Sequence, residues 1–456
     1  MKKLLIILGL GSVLHSAVLA NGLLTNSNQS ASYVRMICRL ASLDIDGVYY
    51  NPAGLTKLLR DGFHASVSNQ TILQTRIITN DLTTLNTNKY EGEMFAPVFP
   101  SIYAVYKREN WAFSFGFNPI AGGGNVDFKK GIPMLEMQVA TLPAKFSALG
   151  VTQYSMDMQF KGASVYYGAQ FNATYQISEN FSAALGVRGV YASNAYEGSL
   201  RNIKINPTYP PNFNGEMISA PKFFNDFAAA GLLPPEVLAE AAQATSDKEA
   251  NVTQSGMGFA PIVGINFNYQ KLNIGARYEF KTRVETENDT KIDETGMFPD
   301  KLKQRVDIPA YFTIGASYMV LPKLNVAAGF GYFFDKQAKM HSWDPAANDF
   351  TRREDLLDGG SCEYSFGLEY DVTEKILLSA GYQYGKFGVT PKAQSDMTHN
   401  INNYTVGFGG QYKCNEKIKL NAGFLITKYI PYSVEETYTH YDRRNCVFSV
   451  GIDISF

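Results

Sequence analysis

Beyond residue 20 the chain has no run of about eighteen consecutive apolar residues, which excludes a transmembrane helix. Net charge is almost absent: 41 Lys and Arg against 42 Asp and Glu leave -1, so no nucleic acid or other polyanion is favoured as a partner. Cysteine is scarce. Cys38, Cys362, Cys414 and Cys446 are too few for a disulfide framework in 456 residues, their spacing fits no zinc motif, and they are expected to be structural or incidental thiols. Histidine is nearly as rare. His64, His341, His399 and His440 follow residue 20, none of them in a recognisable catalytic or metal-binding motif, so no cofactor and no metal is expected. Gly122, Gly123 and Gly124 lack the strand-then-helix context of a phosphate-binding loop.

What the chain does have is 28 Tyr, 30 Phe and 39 Gly, a mix that favours strands and turns. It begins with Lys2 and Lys3, an apolar core from Leu4 to Leu14, and a small-residue site at Val18-Leu19-Ala20. Residues 1–20 therefore read as a signal peptide, with the mature chain starting near Asn21. An exported chain without a membrane helix is either soluble or a membrane β-barrel.

Alternation decides between these. Phe181, Ala183, Leu185, Val187 and Tyr191 fall on one face of a strand, with Ser182, Ala184, Gly186, Arg188 and Val190 on the other. Ile418, Leu420, Ala422, Phe424 and Ile426 oppose Lys419, Asn421, Gly423 and Thr427 in the same way. Phe448, Val450, Ile452, Ile454 and Phe456 oppose Ser449, Gly451, Asp453 and Ser455. About fourteen such segments start near 62, 98, 110, 162, 180, 256, 271, 309, 323, 361, 375, 402, 417 and 445, an even number that suits a single-chain barrel.

Their connections alternate in length. KREN, QISEN, QK, VLPK, DVTEK and KCNEK are short, whereas 74–97, 122–161, 198–255, 286–308, 337–360, 389–401 and 431–444 are long. Short turns on one rim and long loops on the other are what an outer-membrane barrel requires, and a soluble sandwich has no reason to sort its loops so. A tyrosine precedes each short turn: Tyr106, Tyr175, Tyr269, Tyr318, Tyr370 and Tyr412. Recurrence at one height makes an interfacial aromatic girdle, joined by Trp111 and Phe181. The expected fold is all-β: a fourteen-stranded antiparallel transmembrane barrel over 61–456, in the outer membrane of a Gram-negative bacterium and surrounded by its lipids and lipopolysaccharide.

Two regions do not read as barrel wall. Residues 21–60 show little alternation, enter from the short-turn side, and are long enough to plug the lumen as an N-terminal hatch. Residues 222–246 are helical in composition and place Phe223, Phe224, Phe227, Leu232, Leu233, Val237 and Leu238 in an external loop.

The stretch Asn51-Pro52-Ala53-Gly54-Leu55, about thirty residues past the cleavage site, resembles the Asn-Pro-Ala motif of the FadL/TodX family of outer-membrane hydrophobic-compound transporters. The likeness covers nearly the whole mature chain, including 306–334, which resembles that family's mid-barrel hairpin. It implies a monomeric channel for passive uptake of hydrophobic small molecules, fatty acids or aromatic hydrocarbons, with a hatch at Asn51, Pro52 and Ala53. It also implies an inward kink in the third strand that opens the wall sideways. Asn118, Pro119, Gly122, Gly123 and Gly124 break the alternation of Phe113, Phe115 and Phe117 at that place.

On this reading the apolar loop residues capture the solute, the lumen holds it against the hatch, and the break releases it laterally. Arg188, Arg277 and Lys281, with Glu279, are candidate lumen contacts for a carboxylate headgroup, against a plain solvated wall. The rivals are a polar-solute porin, a lipid-modifying barrel enzyme working through His64 or a loop histidine, and an adhesion protein built on the long loops.

Overall fold

The structure, a computed structural model, describes residues 27–229 and 235–456; the expected signal peptide and the two candidate residues Leu232 and Leu233 lie outside this range. Fourteen antiparallel strands form a closed barrel. They are β1 (Gly62–Asn80), β2 (Lys89–Arg108), β3 (Trp111–Phe128), β4 (Tyr154–Gln176), β5 (Phe181–Ile205), β6 (Lys248–Tyr269) and β7 (Leu272–Glu279). The second half comprises β8 (Tyr311–Leu321), β9 (Leu324–Phe333), β10 (Ser361–Asp371), β11 (Ile376–Lys386), β12 (Asn403–Lys413), β13 (Ile418–Tyr429) and β14 (Thr439–Ser455). Each pairs with the next, and β14 returns to β1, with Ser455 opposite His64 and Thr439 opposite Asn80. Closure matters because hydrocarbon offers no partner to an open edge.

The register puts the apolar face outward. On β5, Phe181, Leu185, Val187 and Tyr191 are exposed while Ser182, Ala184, Arg188 and Val190 are buried. The same holds on β14, where Phe448 and Val450 point out and Ser449 points in. All six tyrosines that precede short turns are exposed, and Trp111 packs beside Tyr175 with ring centroids 4.7 Å apart. A continuous exposed belt of this kind, ringed by aromatics at one rim, is stable only against lipid. Leu185→Arg should therefore cost about 2–4 kcal/mol in lipid, and Glu197→Arg, outward but above the belt, about 0–1. Urea unfolding from vesicles reads both; equal costs would contradict the depth assignment.

The strands are longer than the alternation indicates. β2, β4, β6 and β14 begin at Lys89, Tyr154, Lys248 and Thr439, and β1 runs on to Asn80. Above the lipid the medium becomes water, so the outward face turns polar while the backbone ladder continues. Lys89, Glu91 and Glu93 on β2 mark that change. The segment 286–308 likewise contains Lys303–Arg305 paired with Glu285–Asp293, the latter continuing the wall along β6 beyond the end of β7. The four cysteines are free.

Candidate functional site

The residues that begin the described chain occupy the interior. Helix α1 (Ala31–Arg35) starts at Ser30, whose Oγ accepts from the Tyr33 N–H at 2.9 Å. Helix α2 (Gly47–Tyr50) runs into a 3₁₀ turn, Pro52–Lys57, opened by a proline at its first position. This segment touches inward-facing side chains around the barrel. Tyr33 Oη donates to Gln383 at 2.6 Å on β11, Asn273 donates to the Ala41 carbonyl at 2.9 Å on β7, and Gln170 donates to the Val48 carbonyl at 2.8 Å on β4.

Its arginines Arg35 and Arg39 are buried and compensated. Arg35 Nη1 lies 2.6 Å from Glu369 of β10, and Arg39 Nη2 lies 2.7 Å from Asp44 and 2.9 Å from Asp46. Lys57 donates to the Glu179 carbonyl and Arg60 pairs with Glu416, both in short turns, so the segment leaves at the short-turn rim.

Asn51, Pro52 and Ala53 brace one side of the wall. Asn51 Nδ2 donates to Asn266 Oδ1 at 2.7 Å, the Pro52 carbonyl accepts from Thr174 at 2.8 Å, and the Ala53 carbonyl accepts from Ser182 at 2.6 Å. Glycine makes the approach feasible. A Cβ on Gly381 would lie 2.4 Å from the Ile37 nitrogen, one on Gly407 2.4 Å from the Val34 carbonyl, and one on Gly423 2.6 Å from the Arg35 nitrogen. These inward glycines are a signal that sequence reasoning passed over: each marks a place where a second backbone comes close.

β3 does not end at Asn118 but runs on to Phe128, while its pairing with β2 lapses. Ile102 of β2 pairs with Phe117 and Glu93 with Asp127, and between these points the β2–β3 ladder has no pairs. Asn118, Pro119, Gly122, Gly123 and Gly124 all lie in that interval. On the other side β3 keeps β4 by slipping register twice, between Pro119 and Ala121 and again before Gly124. Gly122 has φ 110° and Gly124 φ 68°, a backbone that favours glycine. Inside, Gln29 Nε2 donates to the Pro119 carbonyl at 3.0 Å and Gln29 Oε1 accepts from Asn118. Gln29 is therefore a residue of the N-terminal segment that hydrogen-bonds the break. Sequence reasoning did not name it, and Asn51–Ala53 are anchored on β4, β5 and β6 instead.

Of the candidate headgroup contacts, Arg188 and Arg277 are buried in the lumen and already engaged. Arg188 Nη1 lies 2.5 Å from Glu279, and its guanidinium sits 4.9 Å from the Tyr49 ring. Arg277 bonds the Tyr49 carbonyl and stacks 4.8 Å from the same ring, so both seat the N-terminal segment. Lys281 is a correction. β7 stops at Glu279, the inward–outward parity lapses, and Lys281 is exposed with Nζ 2.9 Å from the Gln337 carbonyl.

The long loops pack into a cap. Helices α3 (Pro133–Ala140) and α4 (Leu142–Lys145) meet α5 (Ala220–Ala229) and α6 (Pro235–Ala244). Phe223, Phe224, Phe227 and Leu238 are buried in this cap core with Phe146, Leu149 and Ile205, and the Phe224 ring packs tilted against Phe146 with centroids 4.5 Å apart. Val237 is partly exposed. Phe223, Phe224, Phe227 and Leu238 thus fill the cap's own core, and among the described residues the three phenylalanines line no open groove.

Closed strands, an outward apolar belt and a lumen filled by the N-terminal segment define an outer-membrane-type β-barrel. No family profile and no curated protein matches the sequence. Among solved structures the chain is similar to a Pseudomonas aeruginosa FadL homologue, with a TM-score of 0.65 at 13% identity over 95% of this chain and 100% of that one. It is similar to the P. putida toluene transporter TodX (TM-score 0.58, 14% identity, 91% and 94% covered). It is also similar to the Ralstonia pickettii toluene transporter TbuX (0.54, 17%, 90% and 94%). At these identities the likeness is one of fold.

Proposed function

We propose that the protein is a passive outer-membrane channel for hydrophobic molecules such as long-chain fatty acids or aromatic hydrocarbons. The solute enters through the cap, is held above the N-terminal segment, and leaves sideways through the break in β3. The observation that carries this reading is the coincidence of an occupied lumen with an unpaired stretch of wall. A solute that cannot continue along the axis meets, at Asn118–Val126, the place where β2 and β3 are unpaired. A polar-solute porin needs an aqueous lumen, and residues 27–58 stand in its way. The fold neighbours, an FadL homologue and two toluene transporters by name, agree with a hydrophobic cargo.

The test is uptake of a radiolabelled hydrophobic probe by cells displaying the protein, beside a polar sugar. Uptake of the probe without the sugar supports the channel; sugar entry at porin rates removes it. Within this reading the cap is a lid over the lumen. Phe223, Phe224 and Phe227 changed together to Ser should loosen the cap, because each loses a buried aromatic contact worth about 3–5 kcal/mol on truncation. Capture at limiting probe should weaken and proteolysis within 222–246 should quicken, with the barrel intact. Unaltered capture despite rapid loop cleavage would separate the cap from transport.

A further inference from the structure

On the outward face of β13, Phe424 and Ile426 are followed by Lys428; on that of β14, Phe448 and Cys446 are followed by Arg444. Both cations are exposed, and each stands where its strand leaves the apolar belt on the long-loop side. Directly below them Phe424 and Phe448 pack with ring centroids 4.6 Å apart.

The register sets Lys428 and Arg444 directly opposite one another. Like charges so placed repel. Among the described residues neither forms an ion pair or a side-chain hydrogen bond. Elsewhere this rim compensates its cations. Lys89 pairs with Glu91, Lys129 with Glu93, Arg201 with Glu249 and Lys303 with Glu287. Lys161 sits in register between Asp127 and Glu197. The acids that share the face of Arg444 are engaged: Asp442 accepts the Arg443 N–H at 2.7 Å, and Glu91 holds Lys89 at 2.7 Å.

Aromatic rings flank the pair. Tyr404 of β12 lies directly opposite Lys428 and stacks on Tyr384 at 5.1 Å, which stacks in turn on Tyr364 at 6.5 Å. Outward tyrosines at such a boundary set an apolar ring in the lipid and a hydroxyl in the headgroup layer.

We propose that Lys428 and Arg444 hold a phosphate of a lipopolysaccharide molecule in the outer leaflet, with its acyl chains on Phe424, Ile426 and Phe448 and its sugar against Tyr404. This stands apart from the channel reading and needs only the barrel in its outer membrane. A phosphate monoester carries about -1.5 to -2 charges near neutral pH and three acceptor oxygens, so one group answers both cations and cancels their repulsion. Arg444 offers a planar fork for two of those oxygens and Lys428 a point charge. A phosphodiester headgroup would bring a single charge to two cations. A free phosphate would satisfy the cations but leave the belt beneath them uncovered, and exposed charges alone gain little in water.

Native mass spectrometry of the purified mature protein in non-ionic detergent tests this. The probes are bis-phosphorylated lipid A, the same lipid A stripped of phosphate, phosphatidylglycerol and inorganic phosphate. Lipid A should bind at least about tenfold more tightly than its stripped form, the lower end of what a charge-assisted bond gives. Lys428→Gln with Arg444→Gln should remove most of that factor, and Lys428→Arg should keep it. Lys89→Gln with Arg201→Gln, which removes two compensated cations of the same rim, should leave it unchanged. Equal binding of the two lipid A forms by the wild type would overturn the proposal. So would an unaltered factor in the Lys428–Arg444 double variant, which would put the phosphate elsewhere. Displacement by millimolar inorganic phosphate would make this a general anion site, and equal binding of phosphatidylglycerol a site for any acidic lipid; either result removes the lipopolysaccharide assignment. Should the double variant fail to assemble, Lys428→Gln and Arg444→Gln singly are read by the same factor, and no loss in either is equally fatal.

Discussion

Valine at both Gly122 and Gly124 should lower uptake of a labelled hydrophobic probe by at least about tenfold, a change in barrier of about 1.4 kcal/mol. The two glycines hold φ 110° and 68°, where a β-branched residue is strained by about 1–3 kcal/mol each. A Cβ on Gly122 would also meet the Ser164 carbonyl at 2.2 Å, and one on Gly124 the Met94 sulfur at 2.5 Å. Relief comes if β3 straightens into extended backbone. Straightening removes the two register slips against β4 and lets Asn118–Val126 pair with the idle stretch of β2, which closes the wall. The barrel itself should persist, because β3 already pairs with both neighbours below Asn118. Gel mobility before and after heating checks assembly, and uptake is compared at equal surface display. Full uptake through an assembled valine variant would mean that solute does not leave through the break in β3.

How much of this could be read from the chain follows from which interactions are local. A strand that separates lipid from an interior repeats its chemistry every second residue, so β5 and β14 declare both faces in one-dimensional order. Turn length and the tyrosine before each turn are local too, which is why strand number, closure and the girdle were legible. Strand ends were not, because backbone pairing outlasts the apolar belt. The break in β3 was legible as composition, in Pro119 and Gly122–Gly124. Its partner was not, since nothing at Gln29 announces a contact with residues 118 and 119. Phe223, Phe224 and Phe227 look the same in sequence whether they line a groove or fill a core; only Phe146 and Ile205, far away in the chain, decide it. His64 and Ser455 face each other only because the last strand closes on the first.

Removing the carboxylate of Glu369 should open the barrel to ions. Glu369 on β10 takes Arg35 Nη1 at 2.6 Å and reaches Arg39 Nη1 at 3.5 Å, tying the N-terminal segment to the wall. Arg39 keeps Asp44 and Asp46, but Arg35 is 1% exposed and among the described residues forms no other ion pair; its other side-chain hydrogen bonds are to Asn421 and Ser379. Stranding a buried guanidinium costs about 3–5 kcal/mol, because the desolvation remains while the attraction is gone. No disulfide pins residues 27–58 to the wall, Cys38 being free, so that cost falls on the segment's hold and favours states in which it has left. In planar bilayers the native protein should carry no steady current, whereas Glu369→Ala should show stepwise conductance. The pair Arg35→Met with Glu369→Leu should restore the closed state, since replacing both ions with apolar groups of similar volume avoids the stranded charge. A lower thermal midpoint for Glu369→Ala with no conductance would mean that residues 27–58 brace the barrel without sealing it.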